Sequence, residues 1–128
     1  MYFIEHEADP IFVIARPKLQ GPGEHFGVRL PNGIVVDCSW EAPIRSCSEQ
    51  QFSAGMDVTI KRSVPKVFNN EIRRRLKHAM LCPRPYDPVK WNCEIFANWL
   101  TCAPPESAQV ASWTFLCVLA GAGLMLMA

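Results

Sequence analysis

The stretch His25-Phe26-Gly27-Val28-Arg29-Leu30-Pro31-Asn32-Gly33-Ile34-Val35-Val36-Asp37-Cys38-Ser39 constrains the fold more than any other part of the chain. It is a hairpin by turn chemistry. Pro31 suits the first corner, Asn32 the second, and Gly33 the left-handed position of a three-residue loop. With Leu30 and Ile34 flanking that loop, one face collects Phe26, Val28, Leu30, Ile34, Val36 and Cys38. The other face collects His25, Gly27, Arg29, Val35, Asp37 and Ser39. A two-residue loop of Asn32 and Gly33 would move Asp37 into the apolar set and make Pro31 a ladder residue, a place it fills badly.

The preferred register makes His25 and Asp37 diagonal cross-strand neighbours, about 7–8 Å apart at the backbone and within side-chain reach. An imidazole oriented by a carboxylate is the base-and-orienter half of a catalytic triad. The same pair on a polar face also reads as an exposed hydrogen-bonded pair without a task.

A candidate nucleophile lies in Trp91-Asn92-Cys93-Glu94-Ile95-Phe96-Ala97-Asn98-Trp99-Leu100. Cys93, Phe96, Ala97 and Leu100 recur at i, i+3, i+4 and i+7, with Glu94, Asn98 and Thr101 opposite, so the segment is expected to be an amphipathic helix with its thiol turned inward. Asn92 is a good N-cap type. A thiolate just inside a helix start is favoured by unpaired backbone N–H groups and the positive end of the macrodipole. On helix position alone, a cysteine on an apolar face reads first as buried core.

The remaining segments fill in an α+β order. Ile11–Ala15 is a continuous apolar run suited to a strand buried on both faces, and Lys18 to Glu24 reads as a loop around Gly21, Pro22 and Gly23. Trp40 to Gln50 reads as loop, and Met56 to Arg62 alternates as a half-buried strand does. Asn70 to Leu81 is expected to be a helix capped by Asn69 or Asn70, burying Ile72, Leu76, Ala79 and Met80, with Pro83 just beyond its end. Strand, hairpin, strand, helix and cysteine helix imply a small antiparallel sheet packed against helices.

Composition excludes some functions. With 128 residues and a net charge of +1, the chain is long enough for a real core and lacks the basic excess of a nucleic-acid binder. The run Arg73-Arg74-Arg75 with Lys77 is read as a solvated helix face. Met1 to Asp9 carries Glu5, Glu7 and Asp9 and no basic n-region, so no secretory signal is expected and synthesis in the cytosol follows. The six cysteines form no C-x-x-C pair and no histidines stand at zinc spacing, so free thiols, no metal and no cofactor are expected.

Asn92-Cys93-Glu94-Ile95-Phe96, downstream of His25-Phe26-Gly27-Val28 and a turn leading to Val35-Val36-Asp37, resembles the lecithin:retinol acyltransferase family, whose cysteine motif reads Asn-Cys-Glu-His-Phe. The resemblance spans roughly Asp9 to Cys102. It implies a circularly permuted papain-like fold related to NlpC-type peptidases, with Cys93 as nucleophile and His25 as general base. Many family members carry a second histidine at the position matching Asp37, where a carboxylate can still accept the imidazole N–H. Ile95 departs from the motif at a position that is not the family's base. The chemistry implied is acyl transfer through a thioester on a phospholipid or other acyl substrate. A thiol peptidase or isopeptidase of the same fold and a catalytically silent, membrane-tethered interaction module stand as alternatives.

Residues 1–106 are expected to form the thiol domain and 107–128 a hydrophobic C-terminal segment. Val110 to Ala128 carries no charge, and as a helix it would span about 28 Å, close to the bilayer core. With Trp113 near its start, it reads as a tail anchor holding the domain at the cytoplasmic face of a membrane. A buried helix or a subunit interface would read the same way.

Overall fold

The computed structural model describes residues 10–112. The element order is β1 (Ile11–Pro17), β2 (Glu24–Arg29), β3 (Val35–Asp37), β4 (Arg45–Cys47), α1 (Glu49–Ser53), β5 (Thr59–Val64), a 3₁₀ turn (Lys66–Phe68), α2 (Asn69–Leu81) and α3 (Cys93–Leu100). The strands form one antiparallel sheet in the order β4-β3-β2-β1-β5. The first four strands run as a meander, and β5 returns to the far side of β1. This is the α+β arrangement of sheet against helices.

The hairpin takes the three-residue loop. Val28 pairs with Val36 and Arg29 with Val35, while Leu30 N–H donates to Ile34 and Gly33 N–H donates back to Leu30. Gly33 has φ +84°, the left-handed conformation that favours glycine in the loop's last position.

Both faces of the sheet are covered. On one face Ile11, Val13, Ala15, Phe26, Val28, Leu30 and Val36 pack against Ile72, Leu76, Phe96, Ala97 and Leu100 of α2 and α3. On the other, Ile14, Val35, Cys47 and Phe52 form a smaller cluster under α1. The apolar run of β1, buried on both sides, follows from its place between β2 and β5.

Several expectations are corrected. Trp40 to Gln50 is not all loop, because it contains β4 and the start of α1, whose Ser48 and Gln51 form a reciprocal capping box. The fifth strand begins at Thr59 rather than Met56 and is an exposed edge, with Ile60 mostly in solvent. The N-cap of α2 is Phe68, without a side-chain cap, because the 3₁₀ turn feeds directly into the helix. Met80 is exposed while Asn69 is buried, which rotates the buried stripe of α2 toward its start. The basic run is not wholly solvated, because Arg75 donates to the Trp99 carbonyl and lies over the Trp99 ring.

On α3, Glu94 and Thr101 were expected opposite the buried face, yet both are buried. Thr101 donates to Ala97 and accepts from Arg62, and Glu94 is covered by the chain that follows Pro104 and Pro105. Among the described residues no helix is long and apolar enough to cross a membrane. The expected anchor, from Trp113 onward, lies outside the described residues.

Candidate active site

Three elements bring Cys93, His25 and Asp37 together. Asn92 stands in extended conformation before α3, and its side chain accepts from Ile95 N–H at 2.9 Å while its amide donates to Pro88. This is the N-cap expected from residue type, and it fixes Cys93 as the first helical residue. His25 is the second residue of β2, and Asp37 ends β3. Their diagonal relationship closes into a bond of 2.7 Å from His25 Nε2 to Asp37 Oδ2.

The thiol does not approach across the histidine's face of the sheet. Cys93 belongs to the same buried cluster as Phe26, Val28, Val36 and Cys38, which lie on the face opposite that of His25 by strand alternation. Contact is made around the start of β2. There Cys93 Sγ donates toward the Glu24 carbonyl oxygen at 3.9 Å, and the thiol is within hydrogen-bonding reach of the His25 side chain. Nε2 is engaged by Asp37, which leaves Nδ1 as the second ring nitrogen able to exchange a proton.

The face expected to be polar is roofed by α1. Phe52 is fully buried and stacks on the His25 ring, with centroids 5.4 Å apart. Gly27 makes room for it: a Cβ there would stand 2.6 Å from the Phe52 ring and 2.8 Å from Val35. Buried Arg16, paired with His25 across β1 and β2, donates from Nε to the Phe52 carbonyl at 2.6 Å and holds the roof down.

Asp37 is buried and held by Arg45 of β4, which donates from Nε to Oδ1 at 2.9 Å and from Nη2 to Oδ2 at 2.6 Å. Burial alone would raise its carboxyl pKa. The hydrogen bonds from His25 and Arg45 outweigh that and hold it below the usual carboxylate range. For His25, burial pulls downward, but the hydrogen bonds and charges of Asp37 and Cys93 win and raise the imidazole to about 9. Both partners therefore favour the protonated form of the ring. Burial pushes the neighbouring Cys38 thiol up, and Cys93 and Asp37 push it further, so Cys38 stays a neutral thiol. Tyr86 is likewise raised to about 12, first by burial and then by Cys93 and Cys38.

His25 and Cys93 open onto a cleft of about 560 Å³ that is also lined by Lys18, Leu19, Trp40, Arg45 and Tyr86. At its mouth Leu19 is 64% and Trp40 70% exposed, and Trp40 leans on Tyr86 with ring centroids 4.8 Å apart. The arrangement supplies a buried carboxylate, an oriented imidazole and a thiol at a helix start, facing a partly apolar cleft.

Sequence reasoning missed Arg45 and Phe52. The Ser48-Glu49-Gln50-Gln51 capping signature announced a helix carrying Phe52. Nothing in the local pattern distinguished Arg45 from other exposed arginines. No protein-family model, curated protein or solved structure matches this chain.

Proposed function

We propose that the chain is a thiol-dependent acyltransferase or phospholipase-type acyl hydrolase, of the lecithin:retinol acyltransferase kind and with that family's permuted papain-like fold. The observation that carries the reading is His25, which contacts Asp37 on one side and Cys93 on the other at the edge of an open cleft. A structural cysteine has no need of an imidazole oriented by a buried carboxylate.

Asp37 holds the Nε2–H tautomer and stabilises the imidazolium, so Nδ1 can take and return the thiol proton. The Cys93 sulfur attacks an ester carbonyl, and the backbone N–H at the start of α3 faces the developing oxyanion. His25 protonates the leaving alcohol as the carbon–oxygen bond breaks, and a thioester remains on Cys93. His25, now neutral, accepts a proton from water, an alcohol or an amine as that group attacks the thioester, and the thiol is restored.

The exposed Leu19 and Trp40 at the cleft mouth favour a lipid acyl donor, because apolar side chains gathered at a site entrance offer a surface for an acyl chain. A tail anchor in residues 110–128 would keep the cleft beside its substrate at the cytoplasmic face of a membrane. The test is turnover of phosphatidylcholine vesicles by the full chain. Release of lysophospholipid that disappears in Cys93→Ala and His25→Ala supports the reading. A folded wild type that releases none, but cleaves peptide amides in a Cys93-dependent manner, would replace it with a thiol peptidase.

A further inference from the structure

The helix face that the sequence presents to solvent is where the start of the C-terminal segment docks, on the immediate neighbours of both reactive residues. Gln109 acts there as a one-residue strand. Its Oε1 accepts the Glu24 N–H at 2.7 Å, and its Nε2 donates to the Glu24 carbonyl at 3.3 Å. Glu24 precedes His25, and its carbonyl oxygen is the one lying 3.9 Å from Cys93 Sγ. From the other side, Ser107 Oγ donates to the buried carboxylate of Glu94 at 2.6 Å, and Gln109 N–H donates to the same oxygen at 3.3 Å. Glu94 follows Cys93.

Gly23 makes this contact possible. It has φ +103°, and a Cβ there would stand 2.6 Å from Gln109 Oε1. The chain at 23 thus leaves room for one particular side chain from 86 residues downstream. Asn98 of α3 adds a third tie by donating to the Glu106 carbonyl at 2.9 Å.

We propose that Gln109 is a positioning residue for the thiol–imidazole pair. Its carboxamide pairs both backbone groups of Glu24 at the start of β2, where the residue opposite in β1, Pro17, has no N–H to offer. It thereby fixes the carbonyl against which the sulfur rests and the backbone from which His25 projects. The segment that leads into the hydrophobic C-terminus is therefore part of the reactive centre's support. This rests on the proposed reading of Cys93 as an activated thiol.

The experiment is Cys93 alkylation by iodoacetamide, followed by peptide mass mapping from pH 5 to 9 in the full chain. Wild type, His25→Ala, Gln109→Ala and Gly23→Ala are compared, with thermal unfolding recorded for each. Gln109→Ala is expected to slow alkylation at pH 6 by about tenfold, the size of a one-unit change in the proton equilibrium, and to move the profile toward that of His25→Ala. Gly23→Ala, which expels the carboxamide while leaving Gln109 in the chain, is expected to shift the profile in the same direction. A Gln109→Asn variant, too short to reach both groups, should do the same if Gln109→Ala fails to fold. Folded Gln109 variants with the wild-type pH profile overturn the positioning role even if their melting temperature falls. A wild-type profile that does not depend on His25 removes the activated thiol itself, and this proposal with it.

Discussion

Arg45 grips both carboxylate oxygens of Asp37, at 2.9 and 2.6 Å, and so leaves Asp37 one geometry in which to meet His25. A planar guanidinium fork does this in a way that a lysine cannot. β4 is only three residues long, and its position beside β3 is what delivers Arg45 to the carboxylate.

Arg45→Met should therefore let the Asp37 carboxyl rise from its depressed value, because one of the two hydrogen-bonding partners holding it down is lost. Since Arg45 is partly exposed, solvent screens the pair, and the stability cost is expected to be about 1–2 kcal/mol at neutral pH. Carboxyl titration by NMR checks the first expectation and urea unfolding the second. An Asp37 titration unchanged by the substitution contradicts the role given to Arg45.

Stability should fall with rising pH on the alkaline side. The folded-state pKa of His25, about 9, lies above its ordinary 6.5. Its contribution is therefore fully present below about 6.5 and is lost as pH rises through about 9, with an upper size of about 3 kcal/mol. Asp37 acts in the opposite sense: its contribution is present above the ordinary carboxylate range and is lost as pH falls through its depressed value. Urea midpoints measured from pH 6 to 9.5 should decline in the wild type and flatten in His25→Gln. A wild type with constant unfolding free energy over that window is incompatible with a charged, partnered His25.

The roof over the histidine gives a packing prediction. Phe52→Ala should cost about 3–5 kcal/mol through the lost burial and the cavity left under α1. Gly27→Ala should cost about 1–3 kcal/mol through overpacking against Phe52 and Val35. Because Phe52 stacks on His25, both changes should also slow Cys93 alkylation beyond what loss of stability explains. Folded variants with wild-type unfolding midpoints would show that the ring–glycine contact contributes nothing.

The contrast between what was and was not legible follows from the range of the interactions. The hairpin register could be read because Pro31, Asn32 and Gly33 each suit one turn position and the flanking residues alternate in phase. The Asn92 cap and the inward Cys93 follow from the same local rules. β4 and α1 hold three and five residues, too few for periodicity to show, so Arg45 stayed hidden and Phe52 was marked only by the cap of its helix. The burial of Glu94 and Thr101 was not legible either, because the cover comes from Arg62 and from residues beyond Pro105. A helical wheel records which residues could face solvent, and it carries no information on what later sequence returns to cover them.

Accumulation of an acyl-enzyme is the most direct test of the central claim. The full chain is mixed with phosphatidylcholine vesicles, quenched in acid within seconds to minutes, and its intact mass and Cys93 peptide are measured. The expected result is an added acyl mass on Cys93 that is released by hydroxylamine, absent in Cys93→Ser and strongly reduced in His25→Ala. Lipid turnover that persists in Cys93→Ser, or a folded wild type that yields neither adduct nor turnover, would contradict a Cys93 thioester mechanism.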